Sequence, residues 1–149
     1  LSDLWNSELS LPFPFEFMIQ DTPRSLQTKN NKAREAWEKK VGELAGAHAN
    51  ELQEAYQIDS RPLAATIFYF PVAPMDGDVD NIIKPILDGM DKVIYPTDRL
   101  IERVVVQKFE PGVPWIFKSL TPILEAALEM ERPSVYIRLD DDLAWREVP

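Results

Sequence analysis

The sequence predicts an α+β domain, a mixed sheet with packed helices. Short β-branched and aromatic runs are interspersed with stretches of helical periodicity in no regular strand–helix alternation. The 149 residues, 45% of them hydrophobic, suit one core, so residues 1–149 are read as a single domain. No internal repeat or low-complexity tract suggests a solenoid or a linker.

Taken in order, Phe13, Phe15 and Phe17 alternate with Pro14, Glu16 and Met18, so Leu11 to Ile19 is expected to be an edge strand, where proline is tolerated. After a loop from Asp21 to Thr28, apolar positions recur at Ala33, Trp37, Val41, Leu44, His48, Leu52 and Ala55, the face of a long helix. Gly42 and Gly46 weaken that helix locally and point to close packing against another element. Leu63 to Phe70, between Pro62 and Pro71, reads as a buried strand, and Pro74 to Asn81 as a loop. Ile83, Ile86, Leu87 and Met90 predict a short amphipathic helix capped by Asp80 or Asn81, with Pro85 near its first turn and an end near Gly89 to Lys92. Leu100 to Phe109 predicts a strand, Val104 and Val106 facing opposite to Arg103 and Val105, before a Pro111-Gly112 turn. Thr121-Pro122 opens a short helix through Met130, and Ser134 to Leu139 is the last strand.

Cysteine is absent, so disulfides and thiolate metal sites are excluded, and any metal must be held by oxygen or by the single histidine, His48. Magnesium, with manganese as a substitute, is the expected ion. No apolar run of about 18 residues and no basic-then-apolar leader is visible, so no membrane span is expected and the cytoplasm is the expected location. The first residue is Leu1 and not methionine, as expected of a fragment or a processed chain. The formal charge of −9 weighs against non-specific coating of nucleic acid. The charge is uneven, however, because Arg24, Lys29, Lys32, Arg34, Lys39 and Lys40 face only Glu35 and Glu38 between Arg24 and Lys40.

Chemistry concentrates in Asp76-Gly-Asp78-Val-Asp80-Asn81-Ile-Ile-Lys84-Pro-Ile-Leu-Asp88-Gly89, followed by Tyr95-Pro-Thr-Asp98. In an extended segment Asp78 and Asp80 would point the same way, ahead of a helix N-terminus that favours their charge. Converging carboxylates suit magnesium, which keeps waters and leaves room for phosphate oxygens, so phosphodiester hydrolysis is the natural chemistry. An EF-hand fails: Asn81 stands where glycine is needed, Lys84 at the ninth position and Leu87 at the glutamate position. A solvated acidic loop capping a helix is the plainer alternative. Lys84 can pair with Asp80 along the helix or meet a phosphate.

The order Asp-x-Asp-Asn-x-x-Lys-Pro-x-x-Asp-Gly, then tyrosine and Asp-x-x-Ile, resembles the RusA family of Holliday junction resolvases over Pro62 to Gly112, and more weakly at Pro23-Arg24-Ser25-Leu26-Gln27. The resemblance implies a RusA-like fold and a homodimeric, magnesium-dependent endonuclease that nicks opposing strands of four-way DNA junctions. It implies Asp78, Asp80 and Asp98 as catalytic metal ligands and Lys84 as the active-site lysine, accompanied by Asn81. The DNA-contacting set is read as Arg24, Lys29, Lys32, Asn81 and Lys84. At Pro96-Thr97 the sequence departs from the family, which often has further acidic residues there. Thr97 and the acidic charge motivate a second reading, a weakened relative that binds branched DNA or another partner without cutting.

Other residues take blander readings. His48 is expected to be a core or interface histidine, and Asp140 to Asp142 the solvated end of a strand. Lys29, Lys32 and Lys39 form a solvated helix face or a phosphate-contacting strip. Trp115 and Phe117 are expected in the core, with an exposed wedge as the alternative.

Overall fold

The computed structural model describes residues 7–27, 29–58 and 60–143. Within them lie β1 (Phe15–Ile19), α1 (Asn31–Leu52), β2 (Leu63–Phe70), α2 (Ile83–Met90), β3 (Ile101–Lys108), α3 (Pro122–Glu129) and β4 (Ser134–Asp140). The strands form one mixed sheet in the order β1-β4-β2-β3. β4 pairs antiparallel with both β1 and β2, whereas β2 and β3 run parallel. A parallel pair needs a long crossover, and α2 with its flanking turns supplies it. The expected α+β architecture is therefore what the chain adopts; Leu1 and Thr28 lie outside the described residues.

Register sorts the side chains into two faces. Phe17, Ile137, Ile67 and Val106 lie in one row across the sheet, and Met18, Tyr136, Phe68 and Gln107 in the next. The first face meets Trp37, Val41, Ala45 and Ala49 of α1 and Ile86, Leu87 and Met90 of α2 in the larger core. The second meets Leu124 and Ala127 of α3, with Phe70 and Phe109 completing a smaller aromatic core. Two layers of helix thus enclose the sheet, which buries strand residues of both parities and gives near-continuous apolar runs such as Leu63–Phe70.

Caps and boundaries follow local chemistry. Asn30 caps α1, its side chain accepting from the Ala33 N–H. Thr121 caps α3 as expected, accepting from the Leu124 N–H. The same hydroxyl donates to Glu16 Oε2 at 2.5 Å, and Tyr136 donates to that oxygen as well, so the buried carboxylate of an edge strand has two donors. β1 starts at Phe15 and not at Leu11, because Pro12 and Pro14 have no N–H for the ladder. Leu11 is buried nonetheless.

Three expectations need correction. The buried stripe of α1 is Trp37, Val41, Gly42, Ala45 and Ala49, with Leu44 and Leu52 exposed and Ala55 beyond the helix end. The stripe turns towards the glycines because α2 packs there: a Cβ on Gly42 would lie 2.6 Å from the Gly89 carbonyl oxygen, and one on Gly89 would lie 2.7 Å from that of Glu38. The acidic end of β4 is not simply solvated. Asp140 is buried and paired with Arg138 at 3.1 Å, and Asp141 pairs with Arg61 at 2.8 Å. Trp115 packs edge-on against Phe109 at 4.8 Å but is 46% exposed, so only Phe117 joins the smaller core.

The helix crossing gives a graded test. Gly42→Ala should lower stability by about 1–3 kcal/mol in urea unfolding, since the clash is with backbone and forces the helices apart. Gly46→Ala meets no backbone, only the side chains of Val93 at 3.3 Å and Tyr56 at 3.8 Å. Its gain of about 1 kcal/mol in helix propensity should largely offset that shift, leaving the midpoint nearly unchanged.

Candidate active site

The acidic segment sits on the crossover between the two parallel strands. Gly77 takes φ +80, a conformation glycine adopts freely, and turns the chain into Asp78. Asp78 is extended and precedes a 3-10 turn, Val79–Ile82, that leads directly into α2. Because the turn begins at Val79, Asp80 is not in an extended segment, and the two-residue spacing does not align the two carboxylates as expected.

Capping does not explain the aspartates either. Asp78 precedes the 3-10 turn and Ile82 precedes α2, and neither position makes a side-chain cap bond. The expectation that Asp80 or Asn81 caps α2 fails because the intervening turn moves the helix start to Ile83. Asp76, Asp78 and Asp80 are all exposed. The side-chain carboxylates of Asp78 and Asp80 have no hydrogen-bond or ion-pair partner among the described residues, although both backbone carbonyls accept within the 3-10 turn.

Two neighbouring loops are fastened to this region. The Leu26 N–H donates to the Asn81 carbonyl at 2.7 Å, docking the segment that carries Pro23, Arg24 and Ser25. The Met75 N–H donates to Glu110 Oε2 at 2.7 Å, and that bond holds the Glu110 carboxyl below its usual range. Between the loops lies a cleft of about 300 Å³ lined by Thr22, Ser25, Tyr69, Met75, Asp76 and Ile82. Of the acidic segment only Asp76 lines this cleft; Asp78 and Asp80 lie outside its lining. A larger groove of about 360 Å³, lined by Phe17, Leu44, His48 and Ile123, contains none of the expected catalytic residues. His48 there lies 3.6 Å from Glu51 and its ring 5.4 Å from that of Phe15, in keeping with a packing histidine.

Lys84 projects from the first turn of α2. It pairs with Asp88 Oδ1 at 2.7 Å and Asp98 Oδ2 at 2.5 Å, not with Asp80 as its spacing allowed. The Asp88 bond, and then the Asp98 bond, hold its pKa above the usual lysine range, so it remains an ammonium. Asp88 Oδ2 in turn meets Arg34 at 3.3 Å, and Arg34 meets Glu38 at 2.8 Å. Asp98 opens a 3-10 turn just before β3, and Thr97 caps that turn by accepting from the Arg99 N–H at 3.3 Å. Thr97 therefore has a backbone task where the resembled family often has a carboxylate. Tyr95 fixes the approach to this turn, its buried hydroxyl donating to the Leu87 carbonyl at 2.6 Å.

The donor chemistry fits an oxygen-preferring divalent ion, since the Asp78 and Asp80 carboxylates are unpaired among the described residues and the chain has no cysteine thiolate to compete. The expected gathering of Asp78, Asp80 and Asp98 is not present: among the described residues no three metal-ligating side chains cluster closely enough to hold an ion. Asp98 is instead committed to Lys84. Of the expected DNA contacts, Arg24, Lys29 and Lys32 are exposed, and Asn81 is partly covered. Lys39 and Lys40 are spent on Glu43 and Asp21. Arg34 and Asp88 were not assigned a role from sequence. The four-residue spacing of Lys84 and Asp88 signals their pairing, but nothing local signals Arg34.

Among known families, the one described as Endodeoxyribonuclease RusA matches residues 16–117, about two thirds of the chain. The match spans β1 to the loop after β3 and includes every acidic and basic group of the site just described; α3 and β4 lie beyond it. No curated protein and no solved structure matches the chain. No described helix is long and apolar enough to cross a membrane.

The Lys84 pairs predict a specific stability profile. A lysine whose folded pKa is raised contributes stability that is fully present below its unfolded pKa and lost only as pH rises through the folded value. Lys84→Met should therefore lower stability by a constant amount between about pH 6 and 9. Its side chain is 49% exposed, so solvent screening limits the loss to about 1 kcal/mol or less. Urea midpoints across that range check this, and a steep change near neutral pH would contradict it.

Proposed function

The chain belongs to the RusA endodeoxyribonuclease family, and on that premise we propose that it is a metal-dependent enzyme that resolves four-way DNA junctions as a homodimer. The carrying observation is the pair of carboxylates, Asp78 and Asp80, unpaired among the described residues, on an exposed turn whose adjoining helix presents Lys84 to Asp98. Acidic side chains left without partners or capping duties invite an external cation.

In this reading Asp78, Asp80 and Asp98 would converge to hold magnesium, with manganese as a substitute, Asp98 giving up its pair with Lys84. When bound, the ion supplies Lewis-acid polarisation of the phosphate and a lowered pKa for the attacking water. Lys84, kept protonated by its carboxylates, offers positive charge to a phosphate oxygen as negative charge develops there. Arg24, Lys29 and Lys32 contact the DNA backbone, and Asn81 orients the strand beside the turn. The docking of the Arg24 loop on Asn81 supports this, because it ties an exposed cation to the acidic turn through backbone. Backbone contacts fix position without carrying sequence information. Two symmetric incisions call for two copies of the site about a two-fold axis.

The commitment of Asp98 to Lys84 and the use of Thr97 as a cap favour a second reading, in which the protein binds branched DNA without cutting it.

Cleavage of an end-labelled four-way junction in magnesium separates the two. The resolvase reading expects junction-selective nicking that falls about 100-fold or more in Asp80→Asn, with a linear duplex of the same arm sequence left intact. Tight junction binding with no cleavage in magnesium or manganese would establish the second reading. For the contact set, Lys29→Ala and Lys32→Ala should each reduce the log–log salt slope of junction binding by about one. An unchanged slope would leave both lysines as solvated surface groups, Lys29 just ahead of α1 and Lys32 in its first turn.

A further inference from the structure

Lys84 has two acceptors, and the second belongs to a fixed assembly. Asp88 takes the ammonium with Oδ1 at 2.7 Å, while its Oδ2 is held at 3.3 Å by Arg34 from α1. Arg34 is steadied in turn by Glu38 at 2.8 Å. The side chains of Glu38, Arg34 and Asp88 are each about three-quarters covered, whereas that of Lys84 is half exposed. An isolated lysine–aspartate pair four residues apart on a helix is worth little. A carboxylate oriented from a second helix is different, because the cost of ordering it is already met by the packing of the two helices.

We infer that Asp88, oriented by Arg34, is a positioning residue that keeps Lys84 at the site when Asp98 is given over to a divalent cation. This rests on the proposed role of Asp98 as a metal ligand. Lys84 and an incoming cation compete for the same Asp98 carboxylate. With Asp88 present, the ammonium has an anchored acceptor and yields Asp98 without leaving. With Asp88 neutralised, Asp98 is the only remaining carboxylate partner of Lys84 among the described residues, and the ammonium opposes the cation directly.

Calorimetric titration of the full chain with manganese alone tests this without using cleavage as the readout. Asp88→Asn should weaken manganese binding about tenfold, the scale of groups that act on a site through its ligands, and Asp88→Glu should restore most of it. In a Lys84→Met background, Asp88→Asn should have no further effect, because Asp88 acts through Lys84. Arg34→Gln leaves every carboxylate in place and should weaken binding in the same direction, which keeps the test open if Asp88→Asn does not fold. Equal losses with and without Lys84, the mark of a missing negative charge and nothing more, would overturn the inference. So would unchanged affinity in folded Asp88→Asn and Arg34→Gln. If the unaltered protein shows no saturable manganese binding, the metal reading itself falls and the inference falls with it. Saturable binding with additive effects removes the inference alone.

Discussion

The close crossing of α1 and α2 at Gly42 and Gly89 is the constraint on which the rest of the structure depends. Each glycine removes a side chain that would meet the carbonyl of the other helix at less than 3 Å. At that separation Val41 and Met90 are fully buried, and the helices present one surface to the sheet. The same contact brings Arg34 within reach of Asp88, and so fixes the assembly on which Lys84 rests. A packing requirement in the middle of two helices thus settles electrostatics at their ends.

The sheet adds a second requirement. Pairing β2 parallel to β3 obliges the chain to travel back through a crossover, and that crossover carries Asp78, Asp80, Lys84 and Asp98. Buried residues on both sides of these residues hold the path: Ile82 and Ile86 anchor the 3-10 turn and the helix, while Ile94 and Tyr95 anchor the approach to Asp98. The charged groups lie at the surface of a scaffold held in place by these buried side chains. That combination suits chemistry, because rigid support lowers the cost of aligning reactive groups.

An acidic protein that acts on DNA has to concentrate its positive charge. Here many cations are neutralised internally: Arg34, Lys40, Lys84, Arg61 and Arg138 all pair with carboxylates. Arg24, Lys29 and Lys32 stay exposed, and Arg24 lies on the loop docked to the acidic turn. The net charge of −9 therefore describes the chain as a whole and not the surface beside the site. A cation at the acidic turn would change the local balance further.

Sequence alone determined much of this protein. Hydrophobic periodicity, proline-bounded β-branched runs and the Thr121-Pro122 cap located the strands and helices, since burial and chain termination leave local marks on the residues that form them. The aspartates, Lys84 and the Thr121 cap were legible because each stands in a short local pattern. The α1 stripe was misplaced, because the glycines that orient it carry no hydrophobic signal and matter only once a second helix is opposite them. The pairing of Asp98 with Lys84, the anchoring of Asp88 by Arg34 and the backbone duty of Thr97 were decided by tertiary structure. Lys84 had Asp80, Asp88 and Asp98 as competing partners, and spacing ranks only those on its own helix. Contacts between groups 14 and 54 residues apart depend on how the helices dock, a property of packing that no local pattern records.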